Sequence, residues 1–391
     1  MDLTKYDPFS ADVLRDPYPW YRALRDQSPC HFVKRRGLWV ISRYEDVVAT
    51  AKNHAVFSST GGVSYHWEQR PMMPMYDPPQ HTRMRRLVSK PFQPGAVAAR
   101  TELIEKTVDA LMNRALEARS IDLVNDVAVP LSLGVIGELL GVTEERRKEL
   151  RRFSLGVIDD LAGGLDAAGR ARVDDLRKEF LVFLRELLAE RREKNDENAS
   201  DVISIVLSAA DADKLTEKEL LAFCVLLLVA GFETTVNAIT NGALALLEHP
   251  GEWEKLRREP ALVKTTIEEM VRYDGAVQSF FRNALVDTEV AGVRIPKGAK
   301  VQLLFASANR DERKFESPDE FRVDRAASDH IGYGAGVHFC LGAPLARAQL
   351  HALWKAMAER CKGFSLEGRV DRTSSVLFHG ARTLPIRLDP A

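Results

Sequence analysis

The chain has 391 residues, of which 45% are hydrophobic and 28% are charged, a composition typical of a globular protein with a sizeable core. Its formal net charge of -1 gives no electrostatic reason to expect a nucleic acid or an anionic membrane as a partner. The four cysteines include no C-x-x-C pair, so the sequence indicates neither a disulfide framework nor a structural zinc site.

The N-terminal segment and the apolar runs bear on the location of the protein. Residues 1–26 are too polar for a signal peptide or a membrane anchor. The longest uncharged apolar run, residues 220–232, is 13 residues long, whereas a helix that spans a bilayer needs about 20. Scattered cysteines are typical of a reducing compartment. We therefore expect a cytoplasmic protein with no membrane partner.

Strand patterns lie towards both ends of the chain, with helical patterns between them. The strand patterns occupy these stretches: residues 31–43 with a turn at Arg36-Gly37, residues 283–305 and residues 383–388. Helical patterns occupy residues 44–53 and dominate residues 100–270, interrupted by a polar loop predicted at residues 193–200. The prediction is one mainly α domain over residues 1–391, with a small β-sheet portion that takes strands from both chain ends.

The longest predicted helix begins at Thr216, which can form a capping box with Glu219. It continues to His249, a length of roughly 50 Å at about 1.5 Å per residue. Such a helix is long enough to cross the whole domain.

An acid and an alcohol, Glu233 and Thr234, follow the uncharged run inside this helix. Because an unpaired buried carboxylate is costly, Glu233 should have a partner or a chemical function. Gly231 lowers helix stability by about 1 kcal/mol relative to alanine, which suggests a local opening of the helix that admits a ligand or water.

Residues 332–342, GYGAGVHFCLG, place Cys340 behind three glycines and directly before a helical pattern. The glycines indicate backbone that another group approaches closely. The N-terminus of a helix favours a thiolate, and His338 can donate a hydrogen bond to an anion at the edge of a flat ligand. The other cysteines are predicted to be buried small hydrophobic side chains: Cys30, Cys224 and Cys361.

Two further sets of charged residues are candidates for a role. Glu269 and Arg272 are spaced i,i+3, so they can pair on one helix face, although such pairs are common. His81 and Arg85 share one face of a helix predicted after Pro79, and Arg282 leads into a strand pattern. The remaining basic residues of that helix are predicted to form its solvated face: Arg83, Arg86 and Lys90.

In their order along the chain, these motifs resemble those of the cytochrome P-450 family. The segment 332–342 is similar to the family's haem-binding loop, with Tyr333 where the family usually has phenylalanine. Residues 230–235, AGFETT, resemble its oxygen-activation segment, and Glu269-x-x-Arg272 resembles its structural ion pair.

The resemblance implies a mainly α fold in which a long central helix crosses over haem b, iron protoporphyrin IX. Cys340 would be the thiolate ligand of the haem iron, and a thiolate favours O–O cleavage over storage of O2. Thr234 would serve oxygen activation, Glu233 would relay protons from solvent, and Arg325 would join the Glu269–Arg272 pair. The residues that the resemblance implies for the haem propionates are His81, Arg85, Arg282 and His338.

The implied function is that of a monooxygenase that inserts one atom of O2 into an apolar small molecule and reduces the other to water. Because the chain has no flavin or nicotinamide motif, its electrons should come from a ferredoxin or flavodoxin with its NAD(P)H reductase. The alternatives are a peroxygenase that uses H2O2 directly and a non-catalytic haem-thiolate sensor, and neither needs the Glu233-Thr234 pair. The Met-rich segment 64–76 is predicted to be an adaptable lid. The predicted pocket residues are Leu226, Val229, Ala230, Val277, Phe280, Leu377 and Phe378.

Overall fold

The computed structural model describes residues 1–66, 71–162, 165–194, 201–207, 215–373 and 375–391. Helices predominate in these residues. They are α1 (Ala11–Arg15), α2 (Tyr18–Gln27), α3 (Tyr44–Lys52), α4 (Gln80–Val88), α5 (Pro94–Ala98), α6 (Thr101–Ala118), α7 (Val129–Leu139), α8 (Arg147–Ala162), α9 (Ala167–Lys194), α10 (Val202–Leu207), α11 (Glu217–Glu248), α12 (Pro250–Arg258), α13 (Val263–Tyr273), α14 (Phe305–Ala308) and α15 (Ala343–Arg360). The loop predicted at residues 193–200 lies mostly outside the described residues.

The strands are short and belong to small sheets. They are β1 (Cys30–Val33), β2 (Leu38–Ile41), β3 (Phe57–Ser58), β4 (Ser120–Asp122), β5 (Ser279–Ala284), β6 (Thr288–Val290), β7 (Val293–Ile295), β8 (Lys300–Leu304), β9 (Cys361–Leu366), β10 (Asp371–Arg372), β11 (Ala381–Thr383) and β12 (Pro385–Pro390). The mainly α fold with small sheets that the sequence predicts is therefore confirmed.

The largest sheet has the strand order β1-β2-β8-β5-β3. Gly37 makes the turn between β1 and β2 with a φ of 60°, and β2 pairs in parallel with β8. Strands from the first part of the chain thus lie beside strands that follow α13. The prediction that the last strand joins this sheet is wrong, because β12 pairs with β4 and β9 instead. There its Ile386 and Leu388 are buried in the core, and the strand contacts α6.

The central helix α11 begins where the sequence predicts. Thr216 Oγ1 accepts a hydrogen bond from the backbone N–H of Glu219, whose carboxylate accepts one from the N–H of Thr216. The helix contacts α7, α8, α13 and α15. Within the described part of the chain, it is the one helix long and apolar enough to cross a membrane, yet 61% of its most apolar 18-residue window is buried inside the protein. It is accordingly placed as a core helix.

Gly231 does not open α11, which runs as a continuous helix from Glu217 to Glu248. A Cβ atom at Gly231 would lie 2.3 Å from Cδ1 of Ile136 on α7. The glycine therefore lets α7 approach α11 closely, and the opening suggested by the sequence is not observed.

The side chains of Glu269 and Arg272 form a fully buried ion pair on α13. Two guanidinium nitrogens donate to the carboxylate over 2.6 and 2.8 Å, and Nη1 also donates to the backbone oxygens of Asn309 and Pro318. Arg325 Nε donates to Glu269 Oε1 over 3.0 Å. These bonds tie α13 to the segment that leads towards Cys340, so the implied three-residue cluster is assembled.

We predict that Arg272→Leu strongly destabilises the protein, because it leaves the Glu269 carboxylate buried with less compensation. Breaking a buried pair typically costs about 3–5 kcal/mol of unfolding free energy. The control is Arg294→Leu, which removes an exposed pair with Asp287 and should cost at most about 1 kcal/mol. The measurement is urea unfolding, and equal losses in the two variants would contradict the prediction.

Candidate active site

A cavity of about 290 Å³ lies between α11 and the segment 332–350. Its lining is predominantly apolar, and both Cys340 and Thr234 are part of it. Two candidate residues far apart in the sequence thus share one cavity.

The sulfur of Cys340 lies beside the first backbone N–H groups of α15. Burial raises the pKa of the thiol above its ordinary value, and the N–H groups of Gly342 and Ala343 and the positive charge of Arg85 offset this rise only in part. The remaining cysteines are buried, as predicted, and burial raises their pKa values to about 12, 12 and 11, respectively: Cys30, Cys224 and Cys361. Cys340 is therefore the cysteine with both a cavity and donors to stabilise a thiolate.

The glycines before Cys340 are approached by the protein itself. A Cβ atom on Gly332 would lie 2.4 Å from Cγ1 of Val271 on α13. One on Gly336 would lie 3.0 Å from Cα of Lys52 on α3. Gly334 and Gly336 also have φ values of 75° and 69°, which side-chain-bearing residues rarely adopt. The close approach predicted from the sequence is present, and it positions the loop against α3 and α13.

The residues implied for the propionates line the same cavity: His81, Arg85, Arg282 and His338. The rings of His81 and His338 are 4.4 Å apart. Burial lowers the pKa of His81 to about 4 and that of His338 to about 2, and neighbouring positive charges act in the same direction. Neither ring nitrogen of His81 has a hydrogen-bond partner among the described residues. This wall of the cavity therefore places His81, with both ring nitrogens unbonded within the described part of the chain, close to the positive charge of Arg85.

Arg282 adds buried positive charge, and Lys300 lies half-buried on the neighbouring strand. Arg282 is 4% exposed and donates to the backbone oxygen of Phe281, and burial lowers its pKa to about 10. Lys300 Nζ donates to the backbone oxygen of Gly61 over 2.8 Å, while burial and the charge of Arg282 lower its pKa to about 8. Buried cations require compensating anions. The two carboxylates of a haem would supply that charge, so the residues present fit this group.

Two residues near this wall were missed by the sequence analysis. Ser59 Oγ lies 3.1 Å from His338 Nε2, and Lys300 lies on β8, which pairs with the strand that carries Arg282. No local pattern marks either residue, since their proximity to the site depends on strand pairing. A search for basic residues on strands adjacent to Arg282 could have found Lys300.

The ring of Tyr333 is held by an ion pair on the side of α15. The guanidinium of Arg347 lies 4.4 Å from the ring centroid and donates to the Glu268 carboxylate over 2.6 and 2.7 Å. His330 Nε2 is 3.0 Å from the same carboxylate. The backbone oxygen of Tyr333 accepts a hydrogen bond from the N–H of Cys340 over 2.8 Å. The cluster therefore braces the loop that carries the cysteine.

Glu233 and Thr234 of α11 differ in their position relative to the cavity. Thr234 lines the cavity, and its Oγ1 donates to the backbone oxygen of Ala230 over 2.6 Å. Glu233 is half-buried and accepts a hydrogen bond from Asn237 Nδ2 over 3.3 Å. Glu233 is not part of the cavity lining. The Thr234 hydroxyl group thus belongs to the cavity wall, whereas the Glu233 carboxylate lies outside the cavity lining.

Most of the predicted pocket residues line the cavity: Leu226, Val229, Ala230, Val277, Phe280 and Phe378. Leu377 does not. Its side chain is fully buried in the core. Phe378, the next residue, forms an antiparallel bridge with Val277 and lines the cavity. The prediction for Leu377 is therefore wrong.

The Met-rich segment contributes Met72, Met73 and Met75 to the cavity wall, and all three are buried. The sequence analysis named this segment as a lid, and residues 67–70 of it lie outside the described residues. The flexible thioether side chains give the cavity an adaptable apolar wall.

Arg83 is not on the solvated face predicted for α4. Its guanidinium forms an ion pair with Glu219, in the first turn of α11. Arg86 and Lys90 are exposed.

Comparisons with known proteins agree over nearly the whole chain. The sequence profile described as Cytochrome P-450 matches residues 165–375. Cytochrome P-450 109 of Bacillus spizizenii is 36% identical over 95% of this chain and 92% of its own length. The crystal structure of CalO2 has a TM-score of 0.91 at 32% identity and covers 99% of both chains. The structure of cytochrome P-450 BioI in complex with hexadec-9Z-enoic acid ligated acyl carrier protein has a TM-score of 0.90 at 30% identity, covering 97% of this chain and 100% of that chain.

We predict that Cys340→Ser abolishes the thiolate signature of bound haem, because a serine hydroxyl stays protonated and is a poor iron ligand. The measurement is the absorption spectrum of the reduced, CO-bound protein. Cys224→Ala and Cys361→Ala are the controls and should leave the spectrum unchanged. A long-wavelength thiolate band that persists in Cys340→Ser would remove this cysteine from the site.

We predict that Arg85→Leu and Arg282→Leu each weaken haem retention, because each leaves a propionate partly uncompensated. Loss of a hydrogen bond to a charged group costs about 1.5–3 kcal/mol. The measurement is the rate of haem transfer to apomyoglobin. Lys90→Leu, which alters an exposed residue beyond the same helix, is the control. Transfer at the wild-type rate from both arginine variants would contradict the assignment.

Proposed function

This chain belongs to the cytochrome P-450 family and is a haem-thiolate monooxygenase, and we propose that its substrate is an apolar molecule with a long hydrocarbon portion. The observation that carries the proposal is the juxtaposition of Cys340 and Thr234 in one cavity whose lining is otherwise largely apolar. Such a cavity excludes water and favours substrates that bury hydrocarbon.

The cofactor of this proposal is haem b. Cys340 would hold the iron, and the propionates would pair with the basic wall formed by His81, Arg85, Arg282 and His338. When bound, the haem supplies the activation of O2 with two electrons and the transfer of one oxygen atom to the substrate. The chain's own contribution begins with the N–H groups of Gly342 and Ala343, which lower the pKa of the sulfur against the effect of burial and favour the thiolate that would bind iron.

Protons must reach the cavity through the few polar groups of its walls. Because the Thr234 hydroxyl donates to Ala230, its oxygen lone pairs are left to accept a hydrogen bond from a water in the cavity. In this proposal Thr234 Oγ1 holds that water, and the Glu233 carboxylate, bonded to Asn237, passes protons to it from solvent. This acid–alcohol pair favours a monooxygenase over a peroxygenase or a sensor, which require no such relay.

The family draws its electrons from a redox partner, which we take to be a ferredoxin or flavodoxin with its NAD(P)H reductase. Arg86 and Lys90 are exposed on and beside α4, whose Arg85 faces the cavity. Positive charge at this position would attract an acidic partner and make its association sensitive to salt. Such a system is consistent with a cytoplasmic location.

The substrate class follows from the distal wall. Phe223, Leu226 and Phe280 face the cavity together with three methionines of the segment 71–76, and no charged side chain accompanies them on α11. The related structure with a hexadecenoyl group on its carrier protein supports a long acyl chain as the first substrate to test. A comparison of the free acid with the carrier-bound acyl group shows whether the enzyme needs a carrier protein to present its substrate.

We predict that Thr234→Ala uncouples the enzyme, so that it still consumes NAD(P)H but releases H2O2 and forms much less product. Thr234→Ser keeps the hydroxyl and should remain coupled. Glu233→Gln should instead slow NAD(P)H consumption, because the supply of protons is restricted.

The measurement compares product, H2O2 and NAD(P)H for hexadec-9Z-enoic acid, free and carrier-bound, with a ferredoxin and its reductase. A fully coupled Thr234→Ala variant would overturn the role of Thr234. If the wild type oxidises neither form, the proposal that the substrate has a long hydrocarbon portion is overturned.

A further inference from the structure

The turn at residues 375–381 carries Phe378 into the cavity. The backbone of Phe378 bridges Val277, and its ring meets that of Phe280 edge-on at 6.5 Å. All three side chains line the cavity. The position of this turn therefore sets the shape of one substrate-facing wall.

His379, the next residue, faces a buried carboxylate instead of the cavity. Its Nδ1 lies 2.8 Å from Oδ1 of Asp274, directly after α13, and both residues are less than 9% exposed. Tyr18 donates a hydrogen bond to the same oxygen over 2.6 Å, and the Arg372 guanidinium is 3.6 Å from Oδ2. Burial opposes ionisation of Asp274, but His379, Arg372 and Tyr18 outweigh it and hold the pKa of the carboxyl below its ordinary value.

The central helix α11 is hydrogen-bonded to the backbone of both residues of this pair. Asn241 Nδ2 on α11 donates to the backbone oxygens of Asp274 and His379, each over 2.9 Å. Further along the turn, a Cβ atom at Gly380 would lie 2.0 Å from Oδ1 of Asn237. The turn therefore has little freedom to move towards α11.

The remaining nitrogen of His379, Nε2, has no partner among the described residues. Its imidazole lines a second small cavity of about 10 Å³, together with polar side chains of Tyr21, Gln278 and Ser375. That volume is close to the minimum that a single water occupies, and the polar lining offers it partners.

We propose that His379 is a positioning residue that, through Asp274, fixes Phe378 and thereby determines which part of the substrate is oxidised. Three observations support this proposal: the buried Asp274–His379 pair, the hydrogen bonds from Asn241 to the backbone of both residues, and the bridge between Phe378 and Val277. The assignment of an oxidation site rests on the proposed function, whereas the effect on cavity shape does not.

The test replaces His379 by leucine, which removes the donor to Asp274, and by asparagine, whose amide can donate from about the position of Nδ1. Imidazole and 4-phenylimidazole, which coordinate haem iron, are titrated into the ferric holoenzyme and followed by the Soret band. Their ratio of affinities reports the room beside the iron and needs no substrate. The second readout is the distribution of hydroxylated products from hexadec-9Z-enoic acid.

We expect His379→Leu to change the affinity ratio by about tenfold, since one methylene of pocket space alters binding by about that factor or more. The product distribution should change with it, and His379→Asn should restore both towards wild type. His249→Leu removes a histidine bonded to the backbone oxygen of Ala245 at the end of α11. It controls for general loss of stability and should leave the ratio unchanged.

An unchanged ratio in His379→Leu, with stability lowered as in the control, would overturn the positioning role. If His379→Leu changes the ratio of affinities but the wild type forms no product from the fatty acid, the positioning role is supported. Only the proposal of a long-chain substrate is then overturned. Should His379→Leu fail to bind haem, Tyr18→Phe and Asp274→Asn perturb the same carboxylate. A shifted ratio in them supports the proposal, and a wild-type ratio in both overturns it.

Discussion

The structure depends on the position of the Cys340 sulfur between the first turn of α15 and an apolar cavity. Burial alone raises the pKa of a thiol, and it is the largest cause of the raised pKa values of the other three cysteines. At Cys340, the first N–H groups of α15 and the charge of Arg85 oppose it. The geometry of the loop before α15 follows from this requirement, because the N–H groups stabilise the sulfur only when the chain turns sharply in front of the helix.

That sharp turn needs support from elements remote in sequence. The close contacts of Gly332 with Val271 and of Gly336 with Lys52 hold the loop between α13 and α3. The Arg347–Glu268 pair braces it from α15, and the buried Glu269–Arg272 pair ties α13 to the chain that precedes it. Neighbouring acids of one helix, Glu268 and Glu269, thus serve the same loop through different arginines.

The walls of the cavity differ in charge and polarity. One wall gathers His81, His338, Arg85 and Arg282, and burial is the largest cause of their lowered pKa values. The wall formed by α11 and the Met-rich segment is apolar, with Thr234 as a polar exception on that helix face near the substrate space. A haem, which has two carboxylates at one edge and an iron at its centre, would match this division and leave the apolar remainder for the substrate.

Local patterns were enough to determine the parts of this protein that depend on neighbouring residues. The capping box of Thr216, the helical face shared by His81 and Arg85, and the placement of Cys340 before α15 all follow from short spacings. The resemblance of the motifs added six apolar residues of the cavity wall. Tertiary structure decided the rest. It assigned β12 to a separate sheet, turned Leu377 into the core, paired Arg83 with Glu219, and brought Ser59, Lys300 and the His379–Asp274 pair to their places. These outcomes depend on which strands pair and which side of an extended segment meets the core, and both are set by contacts between residues that are distant in the chain.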